Sequence, residues 1–582
     1  MNPENKIVPI GPKKEGPIQL RTLIAFGLMG LVIFATPYFY KFIAPPAPPK
    51  PIEQTAGKTI PSPTPSANTA EPIAANPAEA QAVTTPAEAS ATSAVAEQTT
   101  EVDTQLYRIV FSNRGAVVRS WLLKDYKDRA GKPLELVNSV AAPKVGYPFS
   151  LEYRGNKPAV DLNRDALFVL TKSADGHSLT FDYSGKGTIA KKVFEFQNDG
   201  YLTRISSEVS QNGSGLPHML AWRGGFGDLA VQNPSGQIST IHYDLPNTKL
   251  TREGAKFAKN GPVNVDGTFS FAGLEDQYFT AAFVPTGNGS VATTAYDDQV
   301  ATPFDKSEQA IAGAAVGGEA RNSLTLFVGP KDIPALRKVN PKLEQIVDFG
   351  YLAILAKPLF LVLQWLNNQF VHNYGWSIVL VTLCINILLF PLKLTNMKSM
   401  KKMQVLQPQI AAINEKYKSI PFKDPRQQQK NEETMALYKK HGANPMGGCI
   451  PLLIQMPFLF AFYKVLAVSI EMRNASWLWV GDLSQPEHLA IRILPILMIV
   501  SGFIMQRMTP ATGGDPNQQK MMAFMPLMMG FFFWSAQSGL VLYWLTGNLV
   551  GIGQQLFFNK TMTPAEILPV PKTITVKKTG RK

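Results

Sequence analysis

The chain has 582 residues with 57 Lys+Arg against 43 Asp+Glu, a formal net charge of +14. That length holds several domains, and the basic excess points to anionic lipid or nucleic acid as a partner. Only two cysteines occur, Cys384 and Cys449, both in apolar runs; they exclude a disulfide framework, and no Cys/His spacing resembles a metal site.

Hydrophobicity is unevenly spread. Residues 23–35, 376–392, 449–463, 493–505 and 521–558 are strongly apolar, with polar and charged blocks between them. This is the pattern of a multi-span membrane protein carrying a soluble domain. Much of the basic excess lies in loops and tails beside the apolar runs, which favours membrane orientation over a specific nucleic-acid site. The N-terminus is basic (Lys6, Lys13, Lys14, Arg21) and runs into TLIAFGLMGLVIFATPYFYKF. A cleaved signal peptide is the alternative there, but Tyr38, Phe39, Tyr40 and Lys41 stand where a small-x-small site would. Residues 1–44 therefore read as a cytoplasmic segment and an uncleaved anchor. Residues 45–101 are rich in Pro, Ala, Thr and Ser, opening with APPAPPKP, and read as a disordered linker.

From about Thr104 the pattern alternates, as in QLYRIVFSNRGAVVRSWLL, SLTFDYSG and KKVFEFQNDGYLTRISSEVS, with Gly, Asn and Asp turns between runs. Residues 102–332 are expected to form an all-β sandwich outside the cytoplasm. Its histidines (His177, His218, His242) are scattered, and no Ser-His-Asp spacing or phosphate loop stands out. WRGGFGD, residues 222–228, is Gly-rich without a strand–loop–helix context and reads as a turn.

Residues 333–374 are expected to hold an amphipathic helix lying in the outer interface. Lys357, Gln364 and Asn368 fall on one helical face, a stripe suited to that position. The core, 375–558, then has five spans: 375–394, 449–470, 489–508, 520–537 and 540–558. The loop from 393 to 448 is strongly basic and belongs in the cytoplasm, the loop 471–488 is net acidic and lies outside, and the tail 559–582 is basic and inside. Within the basic loop, Met400, Met403, Leu406, Ile410 and Ile413 recur at helical spacing, and two prolines in SIPFKDP separate a second helical stretch. A helical hairpin over 396–444 follows, with Lys401, Lys402, Lys439 and Lys440 on its basic exterior.

NPMGGCIPLLIQMPFLFAFYKVL (444–466), DPNQQKMMAFMPLMMGFFF (515–533) and SGLVLYWLTGNLVGIGQQ (538–555) resemble the YidC family of membrane-protein insertases, in the form with a large periplasmic domain found in bacteria with two membranes. The order of parts matches as well. The resemblance implies an α-helical polytopic inner-membrane protein of six spans, the anchor plus five, with a periplasmic β-sandwich and no cofactor. It implies a chaperone for nascent membrane-protein clients, working alone or with the Sec translocon, with a ribosome or targeting receptor as further partners. It also implies a hydrophilic groove inside the membrane, open to the cytoplasm. The family's groove arginine, in the first core span, aligns with Asn386, so this chain lacks that charge.

Read from the residues, Thr382, Asn386 and Lys393 share one helical face at spacings of four and seven, a polar stripe ending in a cation. Gln455 lies between Pro451 and Pro457, which expose carbonyls and widen a cavity. Tyr543 and Trp544 occupy the positions of the family's groove-side aromatics. A client-sliding surface is expected from Cys449, Ile450, Met456, Pro457, Met505, Met525 and Met528, since flexible thioethers accept many partners. A secondary transporter is the main alternative, but the five spans contain no Asp, Glu or His for ion coupling. A membrane-tethered carbohydrate-active protein is the other; it needs paired carboxylates in a cleft, which a sequence does not display.

Overall fold

The structure is a computed structural model that describes residues 93–128, 131–230, 236–286, 291–304, 306–418, 424–443, 450–508 and 516–561, with backbone alone for 450–453 and 516–522. The expected anchor, most of the linker and the basic tail lie outside the described residues. Two compact units divide between Val347 and Asp348.

The first unit is all-β. Among the described residues it has antiparallel sheets of four, ten and five strands. Alternation in the sequence becomes alternation of burial: in the strand Thr188–Phe196, Thr188, Ala190, Lys192, Phe194 and Phe196 point inward. Aromatic side chains from all three sheets meet in one core. Trp121 of the four-stranded sheet lies 5.9 Å from Trp222 of the five-stranded sheet. Phe149 lies 6.0 Å from Trp222 and 5.3 Å from Phe194 of the ten-stranded sheet. Each fully buried ring contributes roughly 2–3 kcal/mol by removal from water.

The strand register also carries Lys192 inside, opposite Ser207. Its ammonium donates to the carbonyls of Gly115 at 2.8 Å, Ala116 at 3.2 Å and Phe149 at 2.8 Å. All three acceptor residues have left-handed backbone, with φ of 75°, 48° and 70°. Two of them are not glycine, so this backbone is strained, and the lysine is the group that their turned carbonyls serve.

Residues 333–347, grouped with the interfacial helix in the sequence reading, pack on the β unit instead. The short helix Ile333–Val339 is capped by Asp332, and the turn Pro341–Ile346 by Asn340. Leu336, Leu343 and Ile346 are buried, and Arg252 donates to the carbonyls of Gln345 and Ile346.

The second unit is helical. Helix α1 (Ala353–Leu366) buries Ala356, Leu359, Phe360 and Leu363 and packs on α6 (Ile450–Val468). With its flanking turns, Gly350–Val371 is long and apolar enough to cross a membrane by length and composition. Helix α2 (Tyr374–Leu388) stops where a span to 394 was expected, and α3 (Phe390–Val405) restarts at a bend of 60°. Pro391 in the first turn of α3 has no N–H to continue the ladder of α2, so the helix breaks before it. The hairpin arm therefore begins at Phe390 rather than 396, and it carries Lys393.

Helices α4 (Gln407–Lys416) and α5 (Arg426–Lys440) complete the hairpin. Met403, Leu406, Ile410, Tyr438 and Ala443 form its core. Glu433 clamps α4 to α5 by accepting from Lys416 at 2.7 Å and from the Tyr417 hydroxyl at 2.9 Å. Helices α7 (Ile493–Met508), α8 (Pro516–Phe533) and α9 (Ser538–Thr561) follow, and α9 packs against α2, α6 and α7.

Burial pushes the Lys192 ammonium from its ordinary 10.5 down to about 7. Between those values the unfolded chain holds a proton that the folded domain releases, so stability rises with pH across that window. The urea midpoint of a 93–347 fragment should rise from pH 7 to pH 9, and Lys192→Met should abolish that rise. The substitution should also cost about 2–4 kcal/mol at pH 9, because the buried carbonyls lose the two N–H donors of the neutral amine; a Met variant with wild-type midpoints would refute the account.

Candidate polar groove

Helix α2 brings the polar stripe to the inside of the helical unit. Asn373 caps it, accepting from the Trp376 amide at 3.2 Å, and Gly375, Ser377, Ile378, Val381, Thr382 and Asn386 form its buried face. The opposite face, with Trp376, Leu383, Ile387 and Leu388, is exposed. Cys384 is exposed too.

Asn386 is 2% exposed, and every polar group on it is engaged. Its side-chain N–H donates to the Thr382 carbonyl at 2.8 Å, and its Oδ1 accepts from Lys393 Nζ at 2.5 Å. Its backbone carbonyl accepts from Gln554 Nε2 at 3.2 Å. The Thr382 hydroxyl turns back to the Ile378 carbonyl at 2.6 Å and takes no part in the contact with Lys393. A straight helix would hold Lys393 about 10 Å beyond Asn386 at 1.5 Å per residue. The break after Leu388 lets the lysine reach back instead. Lys393 itself is half-buried.

Gln554 is a functional candidate that spacing on α2 could not reveal. It lies on α9, one residue before Gln555, and the QQ pair in an otherwise apolar stretch was the available signal. Gln555 bonds Asn559 at 3.1 Å, whereas Gln554 turns to Asn386 and leaves its Oε1 buried without a hydrogen-bond partner.

The other expected groove residues divide into separate places. Gln455 Nε2 lies 3.5 Å from the Tyr543 hydroxyl, at the limit of a hydrogen bond. Tyr543 is buried and stacks on Phe462 at 4.4 Å. Trp544, one residue on and about 100° around the helix, packs on Phe533 of α8 at 5.2 Å and does not join Tyr543.

The expected sliding residues are also separated. Met525 and Met528 are exposed on α8 beside Phe524, Leu527, Phe531 and Phe532. Met505 packs against Gly551 of α9, where a Cβ would meet its Cε at 3.0 Å. Met456 is half-buried, and Pro457 interrupts the α6 ladder. Cys449 and the Ile450 side chain lie outside the described residues. Of the hairpin lysines, Lys439 and Lys440 are exposed, Lys402 is half-buried, and Lys401 lies over the Phe558 ring at 5.7 Å.

The N-terminal end of α2 is closed by aromatic packing. Trp376 meets Trp477 at 5.5 Å, and Trp477 meets Trp479 at 5.8 Å. Buried Glu487 accepts from Trp479 Nε1 at 2.8 Å and from the Leu494 amide at 2.9 Å, which caps α7. Thus the N-terminal end of α2 carries packed indoles and the other end an amide–ammonium pair.

The family model described as 60Kd inner membrane protein matches residues 365–565, and that described as the YidC periplasmic domain matches residues 99–362. The membrane protein insertase YidC of Syntrophus aciditrophicus is 33% identical over 93% of this chain and 99% of its own length. That of Geobacter metallireducens is 33% identical over 94% and 100%. That of Wolinella succinogenes is 36% identical over 74% of each chain. A crystal structure of an active YidC insertase with its first transmembrane domain resolved is 20% identical, covers 80% of this chain and 93% of its own, and has a TM-score of 0.36. A galactose mutarotase-like protein from Lactobacillus casei is 10% identical over 40% of this chain, with a TM-score of 0.28.

The seal depends on Gly375, where a Cβ would collide with the Trp477 side chain. Gly375→Ala should cost about 1–3 kcal/mol by overpacking, lowering the thermal midpoint of the detergent-solubilised protein and shifting its tryptophan emission to the red. An unchanged midpoint and spectrum would place the indole elsewhere.

Proposed function

The chain belongs to the YidC family of membrane-protein insertases, and we propose that it inserts its clients through a polar groove centred on Asn386 and Lys393. It is an inner-membrane insertase with a periplasmic β domain and a helical membrane core; it is not an enzyme, and its substrates are membrane-protein clients.

The observation that carries the groove is the Asn386–Lys393 pair, held among apolar helices at the end of the bundle opposite the indole seal. A polar client segment entering hydrocarbon loses several kcal/mol for each group left without a partner. A polar station reached partway from the cytoplasm divides that barrier, and the seal keeps the far side closed to water. The client's apolar segment leaves along α8, where Phe524, Met525, Leu527, Met528 and Phe531 are exposed.

The topology that fits is six spans: the anchor, then α2, α6, α7, α8 and α9, with Gly350–Val371 in the outer interface. The charge of the loops supports it, with the hairpin side basic and residues 471–488 acidic. Exposed Lys439 and Lys440 support a polyanionic partner for the hairpin, such as a ribosome or targeting receptor, and cooperation with the Sec translocon suits the same core.

Cysteines at Lys439 and His488, in a chain with Cys384 and Cys449 replaced by Ser, should label from opposite sides of the membrane, Lys439 from the cytoplasm. Labelling from one side would break the span count.

In proteoliposomes, Asn386→Leu should accumulate yet slow insertion of a two-span client with a polar tail by roughly tenfold, the equivalent of about 1.4 kcal/mol. Asn386→Arg should be poorly active, since it brings two cations together, and adding Lys393→Gln should restore it. A fully active leucine variant, or a double variant no better than the arginine one, would defeat the groove.

A further inference from the structure

Among the described residues, two groups around Asn386 keep hydrogen-bonding capacity that no protein group takes up. An ammonium has three N–H donors, and Lys393 gives one to Asn386 Oδ1. The ion pairs of the hairpin beside it, Lys416–Glu433, Lys418–Glu415 and Arg426–Asp424, do not include it. Gln554 gives its N–H to the Asn386 backbone carbonyl, and its Oε1 is buried without a partner. One residue thus tethers a free donor on one side and a free acceptor on the other.

That combination is the complement of a peptide unit, whose carbonyl accepts and whose N–H donates. A carboxylate matches it less well. It would satisfy Lys393 but set a second acceptor against Gln554 Oε1, which needs a donor. We propose that Lys393 and Gln554 together bind an unpaired backbone peptide group in the extended polar segment of a client, with Asn386 positioning both. This rests on the groove reading and deepens it: the ligand is main chain, so the site is indifferent to client sequence. An extended segment in hydrocarbon has no partner for its own N–H and C=O groups, and these are the groups such a site would relieve.

The test uses the full-length protein in proteoliposomes and single-span clients with three tails of equal length: Gly/Ser, Gly/Ser with added Asp, and a proline tract. Proline peptide units have a carbonyl but no N–H. Gln554→Met should slow the Gly/Ser and Asp-containing tails alike, by about fivefold to tenfold, and leave the proline tail at the wild-type rate. Lys393→Met should slow all three, and Lys393→Arg, which keeps the donors, should restore them. If Gln554→Met fails to accumulate, Gln554→Asn, which retracts the acceptor by one methylene, should show the same tail dependence.

The proposal is overturned if neither Gln554 variant affects the Gly/Ser tail, or if the proline tail is slowed equally. It is also overturned if Lys393→Met slows only the Asp-containing tail, which would make the lysine a carboxylate site. Asn386→Leu slowing polar clients while the Gln554 variants do not removes the peptide site and leaves the groove; wild-type rates for all of them remove both.

Discussion

A lysine ammonium bonded to an asparagine side chain across a broken helix is the contact on which the polar part of the core depends. Hydrocarbon offers no hydrogen bonds, so each polar group there must find a partner within the protein. Asn386 meets that demand in three directions at once, to Thr382, Lys393 and Gln554. The first lies within α2, and the other two join α2 to the hairpin arm α3 and to α9. Burying the amide and docking the hairpin are therefore one event. Rings continue the α3–α9 contact, with Phe390 6.4 Å from Phe557 and Lys401 over Phe558.

The β unit solves a similar problem in a different way. Lys192 is buried where strand alternation forces it inward, and the backbone carbonyls of Gly115, Ala116 and Phe149 accept from it. Lys331 in the same unit is paired with the Glu275 carboxylate at 2.7 Å. Both cations are buried, each against acceptors of its own unit. Lys393 differs in being half-buried, with Asn386 Oδ1 as its one acceptor among the described residues. The contrast separates a cation enclosed by backbone carbonyls from one held by a single side-chain amide.

Much of this was legible in the residues. Alternation marked strands such as Thr188–Phe196, and helical spacing marked the hairpin core of Met403, Leu406 and Ile410. Motifs in the three core segments identified the family before any geometry was known. What was not legible required tertiary contact. Pro391 was visible, but its position in the first turn of α3, which ends α2 and turns Lys393 back, was not. Tyr543 and Trp544 look equivalent as neighbours, yet helical rotation sends them to α6 and α8. Gln554 pairs with a residue 168 positions away, beyond any local period. The packing of residues 333–347 on the β unit, with Arg252 of a distant strand bonded to Gln345 and Ile346, has no local signal either.

The early end of α2 has a consequence for the lipid. Fifteen residues, Tyr374–Leu388, rise only about 22 Å, and the sixteen of α7 about 24 Å. A typical hydrocarbon core is about 30 Å thick. Read as spans, both helices are too short for an undisturbed bilayer, and hydrophobic mismatch of this sign is relieved by thinning of the surrounding membrane. The break that returns Lys393 to Asn386 thus also sets the length of apolar helix that α2 offers to a bilayer.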